Sequence, residues 1–265
     1  MLEQLLTAES LGALFTLTFL EIVLGIDNII FIAIAADKLP EKQRKRATNI
    51  GLILAMVMRI ALLFGISALI AMQKPWFSVE WSWFDAHFTG QSLILIAGGL
   101  FLLYKSTKEI HEKVEDPEHD VREVKKTQGS TLGNAIFQIT LINIVFSFDS
   151  ILTAVGMTNG IAGGPDVALV IMIIAVVLSV LIMLVFANPV SAFVSKHPSI
   201  QVLGLAFLIL IGFMLIAEGA HLAHAVIFDQ SIGAVPKGYL YFAISFSLFV
   251  EFLNMRMRKN NVEEA

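Results

Sequence analysis

The sequence predicts an all-α membrane protein of about seven transmembrane helices, an inverted repeat of two three-helix units plus one extra C-terminal helix. Three observations predict this class. The 265-residue chain is 57% hydrophobic and only 15% charged, whereas soluble domains usually carry about 25% charged residues. Its apolar residues come in blocks separated by short polar segments, as in proteins that cross a membrane several times. Finally, a polar motif of the first block recurs in the fourth.

Each predicted span is a stretch of mostly apolar residues that is long enough to cross the hydrocarbon layer, where no water satisfies the backbone. In chain order the stretches are Leu11–Ala36, Ala47–Met72, Gln91–Lys108, Leu132–Thr158, Val167–Ala187, Ile200–Glu218 and Tyr239–Phe252. The first stretch carries Glu21 and Asp27, which the apolar core of a cleaved signal peptide would not need.

The lysine and arginine residues between the spans predict the orientation. The first and third connections and the C-terminal tail hold clusters of bases, whereas the alternate connections contribute only Lys74 and Lys237. This bias places the N-terminus outside and the C-terminus in the cytoplasm. The second connection is then external, and it holds the aromatic residues expected at a membrane–water interface: Trp76, Trp81, Trp83 and Phe84.

The composition also excludes several classes of protein. The chain has no cysteine, which excludes disulfide scaffolds, thiolate metal sites and cysteine nucleophiles. Its formal net charge of −4, without a basic face, argues against nucleic acid as a partner. No P-loop, dinucleotide-binding fingerprint or hydrolase elbow occurs in a suitable context. We therefore expect neither an enzyme nor a prosthetic group, and transport would use an ion gradient rather than ATP.

The first and fourth spans share one polar motif. Three positions recur at a constant offset of 122 residues: Glu21 with Asn143, Asp27 with Asp149, and Asn28 with Ser150. The third and sixth spans match more loosely. Units of three spans must enter the membrane in opposite directions, and such inverted repeats commonly form a substrate site where their halves meet. The predicted boundaries are 1–110 for the first unit, 111–130 for a cytoplasmic linker, 131–228 for the second unit, and 229–265 for the seventh helix and tail.

These six side chains form the candidate metal site. An acid that faces lipid costs at least ~2.5–3.5 kcal/mol, so we expect Glu21, Asp27 and Asp149 to face one another, a cation or a water-filled cavity. Carboxylate, amide and hydroxyl oxygens without sulfur suit hard divalent cations such as Mg²⁺, Ca²⁺ or Mn²⁺. The alternative for the uncharged members is structural, because polar side chains also join membrane helices through hydrogen bonds.

Other polar residues have supporting roles in this prediction. Arg59, midway along the second span, is expected to be the counter-ion of one of the acids. Glu218 and His221 end the sixth span on one face, with His224 one turn further, and they suggest an external metal or proton port. The alternative is that these residues are simply hydrated at the interface. The mixed charges of Lys105–Ser130 predict a solvated cytoplasmic linker.

The motif-bearing stretches Leu20–Phe31 and Phe146–Gly156, with Gly98–Leu103 and Lys108–Glu112 in support, resemble the TerC family of integral membrane proteins. The resemblance covers nearly the whole chain and is nearest to the compact YgdQ-like branch, so no CBS or transporter-associated domain is expected after the last span. It implies manganese export or homeostasis and tellurium resistance, with metal handled by acids of the first and fourth helices. The family pattern has an acid where this chain has Asn143, which leaves the preferred ion open.

Together, the residues and the resemblance predict a secondary-active divalent cation transporter of the bacterial inner membrane. It would export Mn²⁺ from the cytoplasm in exchange for protons. Two alternatives stay open. One is an exporter of another small solute, which would account for tellurium resistance. The other is a non-transporting factor that aids metal loading or secretion of other proteins. The expected partners are the lipid bilayer, the divalent metal ion and protons, and a homo-oligomer or a second membrane protein stays open.

Overall fold

The computed structural model describes residues 2–263 except for 38, 66–71, 116–131, 159–160 and 162–163. Within the helices, the side chains of residues 2, 24, 26–28, 37, 41, 115, 134, 149 and 258–263 are outside the described part as well. The third connection, which was predicted to be a cytoplasmic linker, therefore lies almost entirely outside the described residues.

The described chain consists mainly of long helices that follow the predicted apolar stretches. They are α1 (Leu2–Leu5), α2 (Ala8–Asp37), α3 (Glu41–Phe64), α4 (Gly90–Glu115), α5 (Leu132–Thr158), α6 (Gly164–Lys196), α7 (Pro198–Leu222) and α8 (Lys237–Glu263). Among the described residues, five helical segments are long and apolar enough to cross a membrane: Lys42–Phe64, Ala135–Thr158, Gly164–Lys196, Pro198–Leu222 and Lys237–Met257. The all-α membrane class is confirmed, while the count of seven spans stays a prediction.

A small antiparallel sheet joins the α3–α4 connection to the α7–α8 connection. Its strands, in spatial order, are β1 (Pro75–Trp81), β2 (Phe84–Thr89), β3 (Val226–Ile227) and β4 (Gln230–Ser231). The sequence analysis predicted that the aromatic residues of this connection lie at a membrane–water interface, but it predicted no strands. The ladder between β2 and β3 keeps both connections at one end of the helices. Spans that alternate in direction require this arrangement, because the second and sixth connections must lie on the same side of the membrane.

The closest helix pairings bring an earlier helix against a later one: α4 packs on α7, α2 on α6, and α3 on α5. Each pair joins one helix from each of the two predicted units, whose boundaries stay a prediction. At the α4–α7 crossing, a Cβ atom added to Gly99 would lie 2.5 Å from the carbonyl oxygen of Gly212, and one added to Gly212 would lie 2.9 Å from that of Gly99. Such reciprocal contact of small residues lets two membrane helices approach backbone to backbone.

The C-terminal end of the third predicted span differs from the sequence-based expectation. The segment from Lys105 was predicted to be solvated, but α4 continues through it as far as Glu115. Ser106 and Glu109 on this part of α4 are 1% and 4% exposed. They extend the buried face of Leu95 and Leu102, at helical spacing, and pack inside the bundle rather than in water.

Replacing Gly99 by alanine should destabilise the protein, because the backbone of Gly212 lies where the new methyl group would be. Overpacking of this kind costs ~1–3 kcal/mol, so Gly99→Ala should lower the midpoint of thermal unfolding in detergent. Gly156→Ala is the matched control, since its added Cβ would meet nothing within 4 Å, and its midpoint should stay unchanged or rise. Equal midpoints for the two variants would contradict the close crossing.

Candidate functional site

A buried polar network connects the first, second and fourth predicted spans. Arg59 on α3 donates from Nη1 to Oε2 of Glu21 on α2, and the two residues form an ion pair. The Nε of Arg59 donates to the hydroxyl oxygen of Ser147 on α5 at 3.2 Å. Glu21 and Arg59 are each 5% exposed and Ser147 is 1% exposed. The predicted counter-ion role of Arg59 is thus present in the structure, and its partner is Glu21.

A buried charge at this position requires a partner of opposite charge. A carboxylate transferred alone into a low-dielectric interior costs several kcal/mol even after relaxation, and a guanidinium likewise. In the pair each charge neutralises the other, and the rigid guanidinium has further donors to spare for Ser147. Arg59 therefore fixes α2, α3 and α5 together at the level of Glu21.

The uncharged members of the predicted site on α5 hydrogen-bond within their own helix. Asn143 donates from Nδ2 to the carbonyl oxygen of Ile139 at 2.8 Å, and Ser150 donates to that of Ser147 at 3.2 Å. Both are buried, at 5% and 3% exposed. A hydroxyl that donates to the backbone keeps its oxygen lone pairs as an acceptor, so Ser150 retains the atom that a cation would bind.

A narrow cavity, called here the Glu21 cavity, borders this network. It lies among α2, α3, α5 and α6 and has room for about one water molecule. Its lining residues are Leu17, Glu21, Leu63, Ile151, Ala154, Met172, Ala175 and Val176. Glu21 is the only charged residue among them, so its carboxylate borders a cavity whose other lining residues are apolar. One small polar or charged guest is the kind of ligand that such a space admits.

A second narrow cavity, called here the Glu109 cavity, lies further along the same helices. Phe31, Ile34 and Ala35 of α2 and Gln138 of α5 line it, together with residues of α4 and α7. The early half of α2 thus meets the late half of α5 at the Glu21 cavity, and the late half of α2 meets the start of α5 here. The two helices therefore run antiparallel, as inverted units require. The parts of α2 and α5 that carry the repeated motif lie between the two cavities.

Several predicted ligands cannot be placed relative to Glu21. The side chains of Asp27, Asn28 and Asp149 lie outside the described residues, although their positions fall within α2 and α5. Among the side chains that the structure does describe, no three His, Asp or Glu residues are grouped so that they could hold a metal ion. Convergence of the full site on one ion therefore stays a prediction.

The residues of the predicted external port do not form such a group either. His221 is exposed, and its Nδ1 lies 3.2 Å from the carbonyl oxygen of Ile232, in the segment that follows β4. Glu218 is half-buried and His224 is exposed. His221 thus connects the end of α7 to the segment that follows β4, and a metal role for this face has no support in the described contacts.

Two features of the site were missed by sequence reasoning. The first is the contact of Ser147 with Arg59, whose Nε donates a hydrogen bond to the Ser147 hydroxyl oxygen. On α2, Gly25 packs closely against α6, since an added Cβ would overlap the sulfur of Met183. The buried polar residues near the end of α4 were also missed, although the spacing of Leu102, Ser106 and Glu109 places them on one helical face.

Removing one member of the buried ion pair should be far more damaging than removing both. Arg59→Met leaves Glu21 buried without a counter-charge, which should lower the free energy of unfolding by ~3–5 kcal/mol. The double variant Glu21→Gln/Arg59→Met should recover much of this loss. Both can be measured by thermal unfolding in detergent.

Lys108→Met on α4 is the control for this experiment. Lys108 pairs with Glu112 at 3.7 Å, but both side chains are largely exposed. Exposed pairs contribute ~0–1 kcal/mol, so this variant should unfold close to the wild-type temperature. An Arg59→Met protein as stable as Lys108→Met would show that Glu21 does not depend on Arg59.

The comparisons with known proteins agree with this architecture. The family model described as "Integral membrane protein TerC family" matches residues 6–264. The UPF0053 inner membrane protein YgdQ of Escherichia coli is 45% identical over 249 residues, which cover 94% of each chain. A UPF0053 protein of Haemophilus influenzae is 42% identical over 98% of this chain and 99% of its own.

A third relative is longer than this chain. The UPF0053 inner membrane protein YoaE of Escherichia coli is 42% identical over 98% of this chain but only 45% of its own length, so this chain spans about half of it. No solved structure matches the sequence. A family model that matches almost every residue, together with these full-length relatives, shows that the chain belongs to the TerC family of integral membrane proteins.

Proposed function

We propose that this TerC-family protein is a secondary-active divalent cation transporter of the inner membrane that exports Mn²⁺ from the cytoplasm in exchange for protons. The observation that carries the proposal is the buried Glu21–Arg59 pair beside the Glu21 cavity. A carboxylate inside a membrane protein marks an ion or proton pathway by default, since its burial is so unfavourable. The names of two relatives, which describe inner membrane proteins, support the location.

The positive charge of Arg59 takes the place that a bound cation would take. It neutralises Glu21 and also donates a hydrogen bond to the hydroxyl oxygen of Ser147. A divalent ion held by the oxygens of α2 and α5 would supply this positive charge instead. Binding of the ion and release of Glu21 by Arg59 would then be coupled, because both positive charges compete for the same carboxylate.

The same contacts argue against an anionic solute. The guanidinium of Arg59 is already paired with Glu21, so this base brings no surplus positive charge that would attract an oxyanion. The repeated motif also holds two further carboxylates, Asp27 and Asp149, which repel an anion. Oxygen ligands without nitrogen or sulfur favour a hard cation, with Mn²⁺ among the ions that accept them.

The two cavities supply the outline of a transport pathway. They lie on either side of the motif-bearing parts of α2 and α5, and each has room for only about one water molecule. A pathway that is narrow at both ends fits a closed conformation, intermediate between one open to each side of the membrane. Rocking of the two three-helix units would widen one cavity at a time, as in other transporters built from inverted repeats.

The acids of the repeated motif should be essential for metal transport. In liposomes containing only the purified protein, wild type should take up Mn²⁺ against a control without protein, while Asp27→Asn and Asp149→Asn should reduce the initial rate to the background. Glu9→Gln, which alters an exposed acid in the first turn of α2, is the matched control and should transport normally. Normal transport by either aspartate variant would contradict the proposal, and absence of flux in the wild type would favour the non-transporting factor.

Exchange for protons should make the flux sensitive to an imposed pH gradient. A carboxylate that accepts a proton loses its attraction for the metal, so protons arriving from the opposite side should promote release of Mn²⁺. Acidifying the compartment that receives the metal should therefore raise the initial rate of uptake, and each transport event should remove protons from that compartment. A pH-sensitive dye would report this proton movement. Rates that are equal with and without the gradient would leave metal transport standing but exclude proton exchange.

A further inference from the structure

The Glu109 cavity contains a buried hydroxyl group that the described part of the chain leaves unsatisfied. Ser106 on α4 is 1% exposed and lines the cavity, and its Oγ has no hydrogen-bond partner among the described residues. An unpaired buried hydroxyl costs ~1–3 kcal/mol. Side chains of Glu109 and Gln138 line the same space and bring further oxygen atoms to it. The cavity therefore presents a few polar atoms in a mostly apolar lining, and a small guest would satisfy them.

A tethered positive charge already occupies the edge of this cavity. The Nζ atom of Lys105 lies 3.4 Å from Oε2 of Glu109, whose side chain is 5% exposed, while that of Lys105 is 24% exposed. The next pair on the same helix, Lys108 with Glu112, has the same four-residue spacing but is largely exposed. The pairing of Lys105 with a buried acid is thus a feature of the cavity, not of the sequence spacing alone.

This arrangement repeats that of the Glu21 cavity. In each case a buried carboxylate lines a narrow cavity along α2 and α5 and is neutralised by a base on a long side chain: Glu21 with Arg59, and Glu109 with Lys105. The motif-bearing parts of α2 and α5 lie between them. Lys105 differs from Arg59 in being a flexible, partly exposed ammonium that can leave its partner at little cost.

We propose that Glu109, Ser106 and Gln138 form a second divalent-cation site, which the substrate occupies on its way between the cytoplasm and the repeated motif. This inference rests on the proposed function and adds a defined intermediate site to it. In the structure the ammonium of Lys105 holds the place of the cation. An arriving ion displaces it toward the solvent and binds the carboxylate together with the unsatisfied hydroxyl. One carboxylate gives a weak site, and a pathway site has to release its ion readily.

The experiment uses the natural absence of cysteine from the chain. Ser106→Cys introduces a single thiol, nearly the size of the hydroxyl, into the cavity. Its modification by methyl methanethiosulfonate, a small neutral reagent, is followed by mass spectrometry of the full chain in inside-out vesicles. Mn²⁺ should slow the modification several-fold. Adding Glu109→Gln should abolish this protection, whereas adding Glu112→Gln, on the exposed pair, should leave it intact.

Thr107→Cys is the positional control, because this neighbouring residue is exposed on α4 and should react at the same rate with and without Mn²⁺. If Ser106→Cys fails to fold, Gln138→Cys tests the same cavity from α5. Equal modification rates of the cavity thiol with and without Mn²⁺ would overturn the inference, as would protection that survives Glu109→Gln. The thiol reaction does not require transport, so the two proposals can fail separately. Protection by Mn²⁺ without Mn²⁺ flux would contradict the proposed function but support the cation site. Mn²⁺ flux without protection would support the proposed function but contradict the cation site.

Discussion

The structure depends on neutralising charge where water is scarce. Glu21 can occupy the interior of the helix bundle because Arg59 reaches it from the neighbouring helix and brings an opposite charge within bonding distance. This pair also determines which helices stay together, since the same guanidinium reaches Ser147 on α5. The interaction costs little while both charges are present and becomes unfavourable as soon as one is removed. The Glu21 carboxylate is thus a structural contact, and under the proposed function an incoming cation would compete with Arg59 for it.

Around this network the helices form two kinds of contact. The α4–α7 crossing brings two backbones together at Gly99 and Gly212, and such a contact has little freedom to slide. The contacts of α2 with α5 are looser, because two cavities interrupt them. The α4–α7 crossing is therefore a firm contact, whereas the interface between α2 and α5, which carry the repeated motif, holds two small cavities.

Much of this architecture could be predicted from the sequence, for identifiable reasons. Long apolar stretches separated by basic loops predict membrane-spanning helices. An acid inside such a stretch requires a partner, so the counter-ion role of Arg59 was predicted correctly. The β1–β2 hairpin was missed because its aromatic residues fit a membrane interface as well as a strand, and its extension into a sheet depends on β3, which lies about 140 residues further along the chain. The burial of Glu109 was missed because the charges around it indicate a solvated segment, although its helical phase follows Leu102. Tertiary contacts decide both the extent of the sheet and the burial of Glu109.

The sheet that joins the two connections has a consequence for energetics. Its β2–β3 ladder joins the connection within the first unit to the connection that follows the second, so it acts as a strap across one end of the molecule. If the two halves were equivalent and rocked as proposed, a pseudo-twofold axis would relate the two open conformations and give them equal energy. The sheet at one end removes this equality, since separating the helices there would also strain the hydrogen bonds between β2 and β3. Under the proposed function, the sheet would therefore favour the conformation that is closed at its end.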